Sequence, residues 1–189
     1  MNRIAHQLAR IHRLSVADYR RMGELGILAA DLRTELIDGE IIELPPIGQP
    51  YAGSAALIAD RLREAIEQSA VVALHEPVRL DDHSEPRPDI TLLRPGIDGA
   101  RVGRAEGADV LLLIEVADGS LRYDREIKLP RYARAGIPEV WLADLGGRRL
   151  TIHRRPGTHG YADVMTPSGL GAVPLPLAGL QTADLSGLF

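Results

Sequence analysis

The run Val110-Leu-Leu-Leu-Ile-Glu-Val116 limits what this chain can fold into more than any other stretch. A nearly continuous apolar segment of this length reads as a β-strand buried on both faces. Such a strand lies inside a sheet that is covered above and below by other elements. The run nevertheless carries Glu115. An unpaired carboxylate is costly to remove from water, so Glu115 needs a partner, a metal ion or a raised pKa. The simpler alternative is that it sits at the strand's wet end, against water or an arginine.

The flanking sequence supplies the rest of such a fold. Ser15 and Asp18 form a capping pair ahead of a short helix over Tyr19–Leu25, which Gly26 stops. Thr34–Leu44 holds two β-type runs around Asp38-Gly39, a strong hairpin signal. Beyond Pro45-Pro46, the spacing of Ala55, Ile58, Ala59, Leu62, Ala65 and Ile66 predicts a helix from about Tyr51 to Gln68. Short strands are expected at Val71–Leu74, Val78–Leu80 and Asp89–Leu93. A second helical stretch follows at about Leu121–Ala135, closed by Gly136 and interrupted at Pro130, which has no N–H for the carbonyl of Glu126. Val140–Ala143 and Leu150–His153 resume as strands around Gly146-Gly147. From Thr166 onward, short extended pieces are expected to pack on the body. The chain shows no repeat and reads as an N-terminal extension, 1–13, followed by one domain, 14–189. Its fold class is α/β or α+β, a single-domain mixed sheet flanked by helices.

Composition removes several function classes. Cysteine is absent, which excludes disulfides, cysteine-ligated zinc, iron–sulfur clusters and cysteine nucleophiles. No apolar run approaches the ~18–20 residues needed to span a membrane, so no membrane partner is expected. The first residues lack the marks of a signal or transit peptide, which makes the expected location cytoplasmic. With 22 Lys+Arg against 26 Asp+Glu, the net charge of −4 argues against indiscriminate, salt-dominated binding to nucleic acid. The charge is unevenly spread. Arg122 to Arg155 holds nine basic residues and four acidic ones, a surface a phosphodiester backbone could meet, or simply a solvated face.

The candidate chemistry rests on three residues. If the strand opened by Pro88-Asp89 runs antiparallel to the 110–116 strand, Asp89 lies beside Glu115. Two adjacent carboxylates repel unless a cation holds them, and hard oxygen ligands suit Mg²⁺ or Mn²⁺. Taken alone, Asp89 reads equally well as a turn residue after proline. Lys128, on the returning helix, can point back over the end of the strand. A surface pair with Asp124 is the simpler account and is worth only ~0.2–0.5 kcal/mol. However, Lys128 is the sole lysine among 22 basic residues. A position that keeps a compact ammonium with an adjustable pKa suggests a use for it that guanidinium cannot meet.

The runs Glu35-Leu-Ile-Asp-Gly-Glu40, Pro88-Asp-Ile90, Ile114-Glu-Val116, Tyr123-Asp-Arg-Glu-Ile-Lys128 and Tyr132-Ala-Arg-Ala-Gly-Ile-Pro-Glu-Val-Trp141 resemble those of the Uma-type family of bacterial endonucleases. The match covers about residues 14 to 155. It implies a restriction-endonuclease-like fold of the PD-(D/E)XK type, with Asp89 and Glu115 as the metal-binding acids. The usual lysine position, two after the second acid, is Ala117 here. Its role would pass to Lys128. Glu35 and Glu40 match the family's hairpin and would share one face, roughly 7–8 Å apart, so either could join the site or remain solvated. Tyr51 stands where relatives often carry a histidine. His75 and His83 read as loop or core residues.

The expected function is therefore a Mg²⁺- or Mn²⁺-dependent hydrolysis of DNA phosphodiesters, with RNA also open, by Asp89, Glu115 and Lys128 with Glu40. A non-catalytic interaction module that keeps the fold is the alternative, and a hydrolase of small phosphoesters would share the site. A homodimer could form through the apolar tail from Val173.

Overall fold

The apolar run becomes the center of the sheet. In the computed structural model, which describes residues 11–29, 31–45, 49–177 and 181–189, it forms β7 (Val110–Ala117). The described part begins with α1 (Val16–Glu24), the hairpin β1 (Thr34–Ile37) and β2 (Glu40–Glu43), and α2 (Gln49–Ile66). Strands β3 (Val71–Leu74), β4 (Val78–Arg79) and β5 (Ile90–Leu93) follow, then the single turn α3 (Gly99–Val102) and β6 (Ala105–Glu106). Beyond β7, α4 (Leu121–Tyr123) runs through a π-helical turn at Asp124–Lys128 into α5 (Leu129–Arg134). The chain closes with β8 (Glu139–Asp144), β9 (Arg149–Gly157), β10 (Gly160–Met165), β11 (Val173–Pro174) and β12 (Thr182–Ala183).

Six strands make a mixed sheet in the order β10-β9-β8-β7-β5-β3. Only β7 and β8 are parallel, which requires the helical crossover between them. Residues alternate along β7 between the two faces. Leu112, Ile114 and Val116 join the core beneath α2, with Ile58, Leu62 and Trp141. Leu113 and Ala117 face the core beneath α5, with Leu129, Tyr132 and Ile137. Glu115 has the same parity as Leu113 and Ala117, so it points toward the returning helix.

Most expected elements form, with informative differences. Ser15 and Asp18 make the reciprocal cap, with Asp18 N–H donating to Ser15 Oγ at 3.1 Å and Ser15 N–H to Asp18 Oδ2 at 3.0 Å. Asp38 and Gly39 both take positive φ, 49° and 76°, which gives the hairpin turn the twist of its strands. A Cβ on Gly39 would lie 2.6 Å from that of Arg13, so the turn also needs glycine for space. Pro130 does not break the second helix. The missing N–H is accommodated one residue earlier, where Leu129 N–H reaches back to Asp124 O across the wide turn. The expected strand at Val78–Leu80 is shorter and pairs with β6 outside the main sheet. β10 was not expected, because Gly160–Met165 has little apolar pattern. Val173, Leu175, Ala183, Leu185 and Leu188 of the tail are buried in the chain's own core. Most of the extension 1–13 lies outside the described residues.

Candidate active site

Antiparallel pairing of β5 and β7 sets Ile90 opposite Ile114, which brings Asp89 beside the Glu115–Val116 end of β7. Asp89 Oδ2 accepts the Val116 N–H at 2.6 Å, and Oδ1 accepts the Tyr51 hydroxyl from the first turn of α2. Glu115 Oε1 accepts the Tyr132 hydroxyl and is 2.8 Å from Lys128 Nζ. Lys128 is only 4% exposed and lies 3.5 Å from a third acid, Glu35 Oε2. Glu35 is itself fully buried, accepting the Tyr123 hydroxyl at Oε1 and the Arg87 N–H at Oε2, 3.0 Å away. Asp124 is also buried and accepts the Ser120 hydroxyl at 2.6 Å.

The hairpin delivers Glu35 because it is stitched to the segment entering β5. Glu85 N–H donates to Leu36 O at 2.7 Å, and Gly39 N–H to His83 O at 2.7 Å. The other hairpin acid goes elsewhere. Glu40 is 53% exposed and pairs with Arg13. The structure does not bring it into the cleft that Asp89 and Glu115 line. Strand alternation allows the two acids one side of the ribbon, but β1 is bridged through Leu36 to Glu85, ahead of β5, whereas Glu40 lies on β2. His75 stacks on Tyr51 with ring centroids 6.0 Å apart, while His83 bonds the Leu14 carbonyl.

Sequence reasoning missed the tyrosines. Three of the five in the chain cover the three central carboxylates, one each. Tyr123 and Tyr132 flank Lys128 at steps of five and four, a helical spacing that was available as a signal. Tyr51 gives no comparable local signal.

Burial raises the pKa of Asp89, with Lys128 opposing. Glu115 is pushed well above the usual carboxylate range by burial, and the charges of Asp89 and Asp124 act in the same direction. Asp124 is raised mainly by burial. Burial lowers the pKa of Lys128, but the acids around it, Glu115 ahead of Glu35 and Asp124, outweigh this and raise it well above the usual lysine value. Four buried acids thus share one buried ammonium. These hard oxygen donors, short of positive charge, fit a divalent cation in chemical type. Among the described residues no three His, Asp or Glu side chains are grouped as a ready-made cage. Asp89 and Glu115 would hold such an ion, with Glu35 close by.

Asp89, Glu115 and Asp124 line a cleft of about 480 Å³. Leu44, Pro45 and Tyr51 border it on the hairpin and α2 side, and Asp118, Gly119, Ser120 and Tyr123 on the crossover side. Part of the basic stretch from Arg122 to Arg155 is ion-paired, while Arg125, Arg148, Arg149 and Arg155 form no ion pair among the described residues. Arg122 pairs with Glu126, Arg131 and Arg134 with Asp38, and Arg154 with Glu139.

A mixed six-stranded sheet with buried acids and a lysine at the ends of its central strands defines the class of domain. The profile of the Uma2 family, described as "Putative restriction endonuclease", matches residues 16–186, and the chain belongs to that family. Among solved structures, it is similar to a protein of Anabaena variabilis described as "a putative nuclease belonging to DUF820". The TM-score is 0.68 at 16% identity, covering 93% of this chain and 97% of the other. That likeness shows a shared fold. No curated protein matches the sequence. No helix among the described residues is long and apolar enough to cross a membrane.

Proposed function

We propose that the chain is a metal-dependent nuclease that hydrolyses DNA phosphodiester bonds, with Asp89 and Glu115 as the ligands of Mg²⁺ or Mn²⁺. One observation carries this reading: buried acids at adjacent strand ends share a cleft with the chain's single lysine, 2.8 Å from Glu115. The family description and that of the Anabaena protein support the same class of reaction. A bound divalent ion would supply Lewis acidity, acidifying water and offsetting charge on the phosphate.

The chain's own groups do the remaining work. The Val116 N–H and Tyr51 hydroxyl fix both oxygens of Asp89. Tyr132 orients Glu115 from α5. Lys128, held protonated, places a positive charge in the cleft against the negative charge that develops on the phosphoryl oxygens. Lys128 contacts Glu115 and Glu35 and lines the same cleft as Asp89.

A non-catalytic module is the competing reading, favored by how completely Lys128 already satisfies Glu115. Titration with Mg²⁺ and Mn²⁺, followed by melting temperature and by nicking of a supercoiled plasmid, separates the two. The nuclease reading expects stabilisation of about 2.7 kcal/mol at a hundredfold excess over Kd, together with ion-dependent nicking. Neither effect with either ion would remove it.

A further inference from the structure

Two guanidinium groups in the cleft have no part in the chemistry above. Arg33 immediately precedes β1 and Arg87 lies two residues before Asp89, and both line the cleft. Arg33 Nη1 is oriented by Pro45 O at 2.8 Å. Arg87 is anchored through its backbone N–H on Glu35, which leaves its side chain unused by that acid. Among the described residues neither forms an ion pair, whereas Arg13, Arg20, Arg131 and Arg154 each do. Arg87 Nε is moreover buried with no hydrogen-bond partner. A buried donor in that state is costly until an acceptor arrives.

The surroundings make the absence of pairing informative. Glu43, Asp89, Glu115, Asp118 and Asp124 line the same cleft, yet none of them takes up either guanidinium. Two cations held beside the acids but not bonded to them are free for an external anion. The guanidinium fork matches a phosphate in a way that an ammonium does not.

We propose that Arg33 and Arg87 form a phosphate clamp that grips the nucleic-acid backbone and sets a phosphodiester over Asp89 and Glu115. This rests on the nuclease reading and adds to it the means by which substrate is held. Phosphate contacts carry no base information, so the clamp is indifferent to sequence.

Fluorescence anisotropy of a labelled DNA duplex, with Ca²⁺ in place of Mg²⁺ and over a range of salt, tests the clamp. Arg33→Gln and Arg87→Gln should each weaken binding about tenfold. The double variant should lower the slope of log K against log salt by about two. Arg61→Gln with Arg63→Gln, on α2 outside the cleft lining, should change neither. If Arg87→Gln does not fold by melting temperature, Arg87→Lys replaces it, and loss of the fork should still weaken binding. Unchanged affinity and slope in the cleft variants, with wild-type protein binding and cutting, would overturn the clamp alone. Wild-type protein that neither binds nor cuts would overturn the nuclease reading and the clamp with it.

Discussion

The two ends of β7 are built from the same kind of backbone and put to opposite uses. At the Val110 end, Leu112 and Leu113 fill the cores on either face of the sheet. At the Ala117 end, Glu115 interrupts the alternation, and Asp89, Lys128, Tyr132 and Glu35 gather around it. The apolar end repays its ordering entropy directly. The anionic end holds together only through mutual satisfaction, and it remains short of positive charge. A fold can carry such a site because the rest of the strand is so heavily buried.

The largest expected effect comes from breaking the anionic end. Lys128→Ala should abolish ion-dependent plasmid nicking. It should also destabilise the domain by about 3–5 kcal/mol in urea unfolding, since it leaves Glu115 and Glu35 without their cation. Because Lys128 is buried, nicking must be assayed where the variant stays folded. Leu113→Ala, at the apolar end, should cost about 2–5 kcal/mol, with nicking retained at temperatures where the protein is folded. Equal loss of activity in the two variants at matched folded fractions would break the contrast between the ends.

Smaller effects sharpen it. Glu35→Gln should weaken Mg²⁺ binding in calorimetry, whereas Glu40→Gln should change stability by less than about 0.5 kcal/mol and leave ion affinity unchanged. Indistinguishable ion affinities would place both glutamates outside the site. The smallest effect concerns His153, away from both ends. Burial, then Arg125, lowers its pKa from 6.5. The unfolded chain therefore takes up a proton before the folded one does. Stability should fall as pH drops from about 6.5 toward the folded value, and His153→Gln should flatten that part of the melting-temperature profile.

The strands and helices that make the core were legible because their patterns are local: the apolar run of β7, the three-and-four spacing of α2 and the Asp38-Gly39 turn. The pairing of Asp89 with Glu115 was legible too, since one antiparallel register dictates it. The division between Glu35 and Glu40 was not. It depends on which end of the ribbon meets the segment at Glu85, a contact 49 positions from Leu36 that no spacing within the hairpin encodes. β10 escaped for another reason: its residues are largely exposed and owe their strand to β9, not to their own composition. The pairing of Arg131 and Arg134 with Asp38 likewise depends on a partner distant in the chain.

The crossover between β7 and β8 also sets an order of events. Tyr132 is 17 positions from its carboxylate, Glu115, whereas Tyr123 and Glu35 are 88 apart. Closing the longer loop costs more chain entropy, so the Glu115–Lys128–Tyr132 half should assemble during refolding before the hairpin brings Glu35. Pulsed hydrogen exchange should accordingly protect the Leu129 amide before that of Leu36, and the reverse order would mean that the hairpin is the template on which the rest condenses.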